Sequence, residues 1–237
     1  STDPGKKPGN RAACFSGGRL RAAIEGLADA YSVEFWFYNT LPITARPITG
    51  YIFSRGLEGP EGTPGDDLGI SGTSAIDTVP PGRLFFYNGD AAKQVVGKTE
   101  VAPETWNHVV LVRDGRRVTV HLNGSAVPEI AGEVDKGYPD GAAQLFIGGR
   151  NDNFGNFQGR IAEVSVYDRA LTPEEAVRHH AACQLPAGSC SAQDARPRRV
   201  PPLVRRGSAR PLRAAAPWRR GRCAEWACRR GVRAAPG

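Results

Sequence analysis

Residues 105–124, TWNHVVLVRDGRRVTVHLNG, contain the clearest structural signal in this chain of 237 residues. Two runs rich in β-branched residues, at 107–112 and 117–122, flank the dipeptide Asp114–Gly115. Asp-Gly between such runs is typical of a β-hairpin, because glycine tolerates the positive φ that a tight turn requires. A second turn signal, Asn123–Gly124, ends the second run. The stretch therefore predicts two antiparallel strands.

Further runs of strand length, bounded by glycine, proline or asparagine, lie on both sides of this hairpin. They are found at 31–38, 48–54, 67–71, 83–88, 144–148 and 160–167. In the first of them Val33, Phe35 and Phe37 share one face, and in the last the alternation slips by one residue near Ala162. Many short strands separated by turns predict an antiparallel β-sandwich.

One segment, residues 172–182, predicts a helix. Thr172 offers an N-cap hydroxyl, Pro173 suits the first helical position, and Glu174 and Glu175 place acidic charge where the helix dipole favours it. The predicted fold class is therefore all-β, a two-sheet antiparallel sandwich with one short C-terminal helix.

The positive charge of the chain is concentrated in its last 47 residues. Residues 191–237 contain 13 Arg, no Lys and two acidic residues, a net charge of +11, whereas residues 1–190 carry −4 of the total of +7. A segment made mostly of Arg, Ala, Pro and Gly buries too little apolar surface to fold, so we predict a disordered basic tail over 184–237. The tail is either an arm that binds nucleic acid or an anionic surface, or an extension without function. The slightly acidic body argues against nucleic acid as a partner of the domain itself.

The rest of the chain is predicted to be one domain at residues 12–183, preceded by a linker at 1–11. No run of about 18 apolar residues occurs, which excludes a transmembrane helix. The chain begins at Ser1 and contains no methionine, so we expect a fragment of a longer protein with a missing upstream domain.

Three stretches resemble the LamG-like jelly-roll domains of the concanavalin A-like lectin/glucanase superfamily, as found at the ends of large bacterial extracytoplasmic proteins. They are YSVEFWF at 31–37, the hairpin at 105–124 with its W-x-H-V start and LNG end, and GRIAEVSVYDRALTPEE at 159–175. The third is similar to the family's closing strand, usually G-x-[IL]-D-E-V-x-[IV]-Y-x-R-A-L-[ST]-x-x-E. The resemblance covers about residues 12–183.

The resemblance implies a jelly roll outside the cytoplasm that binds carbohydrate or a protein partner, or a structural accessory domain of a larger enzyme or surface protein. Some members hold calcium. The family's usual Asp before Glu-Val is Ala162 here, so a calcium ion would need other oxygen donors. Asn151, Asp152 and Asn153 form the best local cluster of such donors, and Asp66–Asp67 is a weaker one. Plain turn formation is the alternative role of these residues.

The predicted ligand surface surrounds the segment NDNFGNF at 151–157. Tyr51, Phe154 and Phe157 lie near predicted loops, where aromatic planes can stack on the apolar faces of sugar rings. Arg150, beside this segment, could bind polar or anionic sugar groups. The alternative is a small hydrophobic cluster beneath a loop.

Catalysis is not expected. A glycosidase on this fold needs two carboxylates facing one cleft, and related catalytic sandwiches carry E-x-D-x-x-E on one strand. That pattern is absent, as are G-x-S-x-G, H-E-x-x-H and Walker A motifs in a suitable context. The sequence therefore predicts a binding or structural module and no enzyme.

The cysteines lie outside the predicted strands. Cys14 and Cys183 bracket the domain, whose ends should lie close together in a jelly roll. We therefore predict a disulfide between Cys14 and Cys183, or between Cys183 and Cys190.

Overall fold

A computed structural model describes residues 11–24, 27–73, 79–89, 94–134 and 144–184. Within these ranges the chain forms twelve strands and one helix. They are β1 (Ala13–Ser16), β2 (Leu20–Ala23), β3 (Ala30–Asn39), β4 (Ile48–Arg55), β5 (Asp66–Ser71), β6 (Arg83–Tyr87), β7 (Val95–Glu100), β8 (Trp106–Asp114), β9 (Arg117–Leu122), β10 (Ile130–Glu133), β11 (Gln144–Ile147), β12 (Gln158–Tyr167) and α1 (Pro173–Gln184). No helix in these ranges is long and apolar enough to cross a membrane.

The strands form two six-stranded sheets in which every neighbouring pair is antiparallel. Sheet I has the order β1-β12-β3-β8-β9-β10, and sheet II has the order β2-β11-β4-β5-β6-β7. The apolar faces of the two sheets enclose one large core, to which Val33, Phe35 and Phe37 of β3 contribute as predicted. The predicted all-β, two-sheet fold is confirmed.

The predicted strands are found within one or two residues of their expected bounds, but four strands were missed. These are β1, β2, β7 and β10, and they are the four edges of the two sheets. An edge strand has a neighbour on one side only, so its side chains are less buried and its apolar pattern is weaker. All four residues of β2, for example, are exposed. Cys14, which we expected outside the strands, lies in β1.

Two local features of the sequence have the predicted structure. Gly115 at the hairpin turn has a φ of 58°. The slip near Ala162 is a β-bulge in the pairing of β12 with β3, where Glu163 has a φ of 54°.

The predicted disulfide between Cys14 and Cys183 is not present, because the Cys14 thiol is free. The alternative bond between Cys183 and Cys190 stays a prediction, since Cys190 lies outside the described residues.

An ion pair joins the two sheets inside the core. Arg113 on β8 of sheet I donates from Nε to Oδ2 of Asp66 on β5 of sheet II at 2.9 Å, and both side chains are fully buried. The Tyr31 hydroxyl donates to the same oxygen at 2.9 Å, and Asn88 donates to Oδ1. The carboxylate is thus saturated with donors, as a buried charge must be to avoid a large desolvation cost.

Asp66→Asn is expected to lower the free energy of unfolding by about 3–5 kcal/mol, because it removes the carboxylate charge that pairs with the buried Arg113 guanidinium. Urea denaturation measures the change. Asp114→Asn, at the exposed hairpin turn, is the matched control and should change stability by less than about 0.5 kcal/mol. Equal losses in the two variants would contradict the role of the pair.

Helix α1 packs on the outer face of sheet I. Leu171 and Ala176 form a small apolar cluster with Val110 and Val112 of β8. The predicted cap is confirmed, since the Glu175 N–H donates to Thr172 Oγ1 at 3.3 Å and the Thr172 N–H donates to Glu175 Oε2 at 2.9 Å.

Glu34 on β3 holds the middle of the helix. His108 of β8 donates from Nε2 to Oε1 at 2.9 Å, while His179 of α1 and Tyr167 of β12 each donate to Oε2 at 2.8 Å. Burial would raise the pKa of Glu34, but these three hydrogen bonds outweigh it and hold the pKa at about 2. One carboxylate therefore ties three strands to the helix.

Stability is expected to fall in acid because of Glu34. The unfolded carboxyl takes up a proton near pH 4.5 and the folded one near 2, so this contribution is complete above about pH 4.5 and is lost as the pH falls toward 2. We expect a loss of about 2–3 kcal/mol, measured by urea denaturation across this range. Glu34→Gln should flatten the profile, whereas Glu133→Gln, exposed on β10, should not. An unchanged profile in Glu34→Gln would show that another group causes the acid loss.

Candidate functional site

The candidate site lies on the face of sheet II that is turned away from sheet I. Along β5, Asp66, Leu68 and Ile70 point into the core, so Asp67 and Gly69 face outward. Tyr51 on β4 and Phe85 on β6 meet on this outer face, with ring centroids 5.4 Å apart. Gly69 makes room for these rings, since a Cβ there would lie 2.8 Å from Cζ of Phe85.

The loop that joins β11 to β12 folds over this face. Asn151 anchors it, because Nδ2 lies within hydrogen-bonding distance of the carbonyl oxygens of Leu57, Thr63 and Pro64, at 2.8, 3.3 and 3.1 Å. The Tyr51 N–H donates to the Gly155 carbonyl at 2.8 Å, and Gly155 has a φ of 57°. These contacts set Arg150 and Phe154 against the sheet.

Arg150 lies at the centre of what we call the Arg150 cluster, which also contains Tyr51, Asp67, Tyr87, Asp152 and Phe154. Its guanidinium carbon lies 5.0, 5.3 and 5.4 Å from the ring centroids of Tyr51, Tyr87 and Phe154. Nη1 donates to the Tyr51 hydroxyl at 3.3 Å, and Nη2 donates to Asp152 Oδ2. Only 6% of the residue is exposed. Cation–π contacts of a desolvated arginine with three rings fix the side chain firmly.

Two carboxylates flank this guanidinium. Asp67 Oδ2 lies 3.7 Å from Arg150 Nε. Burial raises the pKa of Asp67 to about 7, although the charge of Arg150 and the nearby Ser54 hydroxyl act in the opposite direction. Burial likewise raises the pKa of Tyr51 to about 12.

Phe154 is the exposed member of the cluster. Its side chain contacts Tyr51, with centroids 6.5 Å apart, as well as Arg150. The residue is nevertheless 40% exposed. The cluster thus presents one braced aromatic ring to solvent above a buried charged layer.

A family model described as the concanavalin A-like lectin/glucanases superfamily, of the Laminin_G_3 type, matches residues 16–177. The chain belongs to this superfamily. The residues that carry the resemblance therefore predicted the family and the fold correctly, and we refer to the matched region as the lectin-like domain.

The individual proteins that resemble this chain in sequence or structure share less than 30% identity with it. Mouse pappalysin-1 is 27% identical over 180 residues, which are 72% of this chain and 11% of the pappalysin. Domain 4 of AbnA, a GH43 extracellular arabinanase from Geobacillus stearothermophilus solved in complex with arabinotriose, has a TM-score of 0.50 at 21% identity, covering 70% of this chain and 75% of that one. Trypanosoma rangeli sialidase has a TM-score of 0.54 at 18% identity, covering 71% of this chain and 27% of that one. The chain thus spans about a tenth of the curated relative, and the structural neighbours establish a shared fold.

The lectin-like domain brings three of the four predicted ligand residues together. Tyr51, Arg150 and Phe154 are members of the Arg150 cluster. Phe157 is not at the surface: it is fully buried in the core, where its ring packs edge-on against Phe37 with centroids 6.4 Å apart. We therefore leave Phe157 out of the proposed site.

Sequence reasoning missed Tyr87 and assigned Asp67 a different role, as a weak calcium ligand. Both lie in predicted strands, at positions whose alternation places them on the outer face of sheet II. The strand pattern therefore contained a signal for both, but it did not indicate that the 148–157 loop would cover them.

Residues 151–153 do not fit a calcium ion. Asn151 turns its amide donors toward three carbonyl oxygens. Asp152 accepts from the backbone N–H groups of Gly62 and Phe154, at 2.9 and 3.1 Å, in addition to Arg150. Asn153 Oδ1 accepts from Asn156 at 2.9 Å. Calcium needs six to eight oxygen ligands, whereas these oxygens are engaged and a guanidinium stands beside them.

Asn151→Asp distinguishes the anchor role from a calcium role. In the structure described here the new carboxylate would face three carbonyl oxygens, and we expect unfolding in urea to become easier by about 1–3 kcal/mol. If residues 151–153 bound calcium, the added carboxylate would instead strengthen the site, and added calcium would stabilise the variant more than the natural chain. The comparison is urea denaturation of both proteins with and without calcium.

Proposed function

We propose that the lectin-like domain is a non-catalytic module that binds carbohydrate outside the cytoplasm, with Phe154 of the Arg150 cluster as its stacking platform. The observation that supports this most directly is an exposed aromatic ring braced by a buried guanidinium and a buried tyrosine.

Phe154 differs from the other exposed apolar residues. The large hydrophobic residues exposed in the described part of the chain are Leu20, Leu57, Val127, Phe154 and Val164, and Phe154 is the aromatic one. Sugar rings stack their C–H faces on planar side chains. A ring already held by Arg150 and Tyr51 loses little conformational freedom on binding, which favours affinity.

Carbohydrate is favoured over a protein ligand by the relatives. The superfamily groups lectins with glucanases, and the AbnA domain was solved with arabinotriose bound. At 21% identity that likeness shows the fold alone. The ligand of AbnA therefore suggests carbohydrate as the class of ligand to test, and it indicates no particular sugar.

The carboxylates of the cluster do not favour hydrolysis. A glycosidase places two carboxyl groups on either side of a bond in an open cleft. Here Asp67 is fully buried and the Arg150 guanidinium contacts both Asp67 and Asp152. This arrangement positions an aromatic ring and leaves no carboxyl group facing a substrate.

A structural accessory role is the second candidate, and it is favoured by the small share of pappalysin-1, 11%, that the chain matches. A domain of this kind can serve to position its neighbours. The Arg-rich segment at 191–237 lies outside the described residues, so binding of nucleic acid or an anionic surface by it stays a prediction.

Phe154→Ala is expected to weaken binding to polysaccharide at least tenfold, because it removes the platform and keeps the buried layer. Affinity electrophoresis of the full chain in gels containing arabinan, xylan, galactomannan or mixed-linkage β-glucan measures the retardation. Val127→Ala, an exposed apolar residue in the turn before β10, is the matched control and should leave retardation unchanged.

Retardation that persists in Phe154→Ala would assign binding to another surface and contradict the proposed site. If no gel retards the natural chain, the proposal of a carbohydrate-binding module fails and the accessory role is favoured.

A further inference from the structure

We infer that the Arg150 cluster selects uncharged sugars, and that Asp67 is the residue that excludes acidic ones. This inference rests on the proposed function and concerns the same site. The sequence alone suggested that Arg150 could bind polar or anionic sugar groups, and the inference disfavours the anionic ones.

The donors of Arg150 are directed inward. Nη2 bonds to Asp152, Nη1 to the Tyr51 hydroxyl, and Nε faces Asp67 at 3.7 Å. Three rings enclose the guanidinium plane, and 6% of the residue is exposed. A sugar carboxylate above Phe154 could not form the bidentate pair by which arginine recognises such a group.

The charge balance of the cluster also disfavours an anion. One guanidinium faces two carboxylates, so the cluster is neutral when Asp67 is protonated and carries −1 when Asp67 is ionised. Asp67 lies in a buried setting where its field is weakly screened. An acidic ligand on Phe154 is therefore repelled most strongly when Asp67 is charged.

Few other ionisable groups surround Asp67. Tyr51 of β4, Tyr87 of β6, Arg150 and Asp152 of the loop face it, and Asp66 precedes it on β5 with its own charge paired to Arg113. Arg46 also touches the loop, but its guanidinium donates to the carbonyl oxygens of Thr49 and Asn156. Arg19 contacts the Arg150 carbonyl and pairs with Glu58. Asp67 is the group among these whose charge changes near neutrality.

The effect has a definite sign with pH. Burial places the pKa of Asp67 at about 7, so the cluster gains a negative charge as the pH rises from 6 to 8. The affinity for an acidic ligand should fall over this interval by about fivefold, the effect of one charge several ångströms away in a partly hydrated site. The affinity for a neutral ligand should stay constant.

The test compares neutral and acidic polysaccharides in the same electrophoresis gels. Arabinan, xylan and galactomannan are the neutral probes, and polygalacturonic acid and hyaluronan are the acidic ones, each run at pH 6 and pH 8. The Arg-rich segment can bind polyanions without the site. Site-specific retardation is therefore defined as the part of the retardation that is lost in Phe154→Ala. We expect site-specific retardation by a neutral probe and little by the acidic ones at pH 8.

Asp67→Asn is the decisive variant, since it keeps the shape of the side chain and removes its charge. We expect it to raise site-specific binding of the acidic probes about fivefold at pH 8, to abolish their pH dependence and to leave neutral probes unaffected. Glu133→Gln removes an equal charge from an exposed position on the other sheet and should change nothing. The pH series on the natural chain needs no substitution, so it tests the inference even if Asp67→Asn folds poorly.

Two results would overturn the inference. If acidic probes bind through Phe154 as well as neutral ones at pH 8, Asp67 does not select, although the proposed function stands. If no probe of either class binds through Phe154, the proposed function fails and the inference fails with it.

Discussion

The buried ion pair between Asp66 and Arg113 is the constraint on which the arrangement of the sandwich depends. It is formed by one residue from each sheet and lies inside the core, so the sheets must meet in the register that lets the two charges touch. Because side chains alternate along a strand, fixing Asp66 inward also fixes Asp67 outward. The position of the candidate site thus follows from a contact on the opposite side of β5.

The sequence contained enough information for the fold and for part of the site. The hairpin at 105–124 and the closing stretch at 159–175 were recognisable because buried strands repeat apolar residues with period two and turns require particular residues. The edge strands β2 and β10, with the sequences LRAA and IAGE, carry little of that pattern. Phe154 and Phe157 could not be told apart, since a loop has no periodicity to show which ring points inward. Only the folded chain shows that one is exposed and the other is buried.

Glu34 and Asp67 show how neighbours decide the behaviour of a buried carboxyl group. Both lie on central strands and both are removed from water, which on its own raises a carboxyl pKa. Glu34 accepts hydrogen bonds from two histidines and a tyrosine and stays ionised into strong acid. Asp67 faces a guanidinium at 3.7 Å, but its burial raises its pKa to about 7. Glu34 therefore stabilises the contact between the helix and sheet I, whereas the charge of Asp67 changes near neutral pH.

The pairing of the first strands with the last ones has a consequence for how the domain folds. β1 pairs with β12, and β2 pairs with β11, so each sheet is completed at one edge by residues from opposite ends of the lectin-like domain. β3, in the centre of sheet I, also needs β12 as a neighbour. Such distant pairings require the closure of long loops before they contribute stability, which slows folding. During synthesis on a ribosome, neither sheet can be completed until nearly the whole domain has emerged, and the inner strands must wait with one side uncovered.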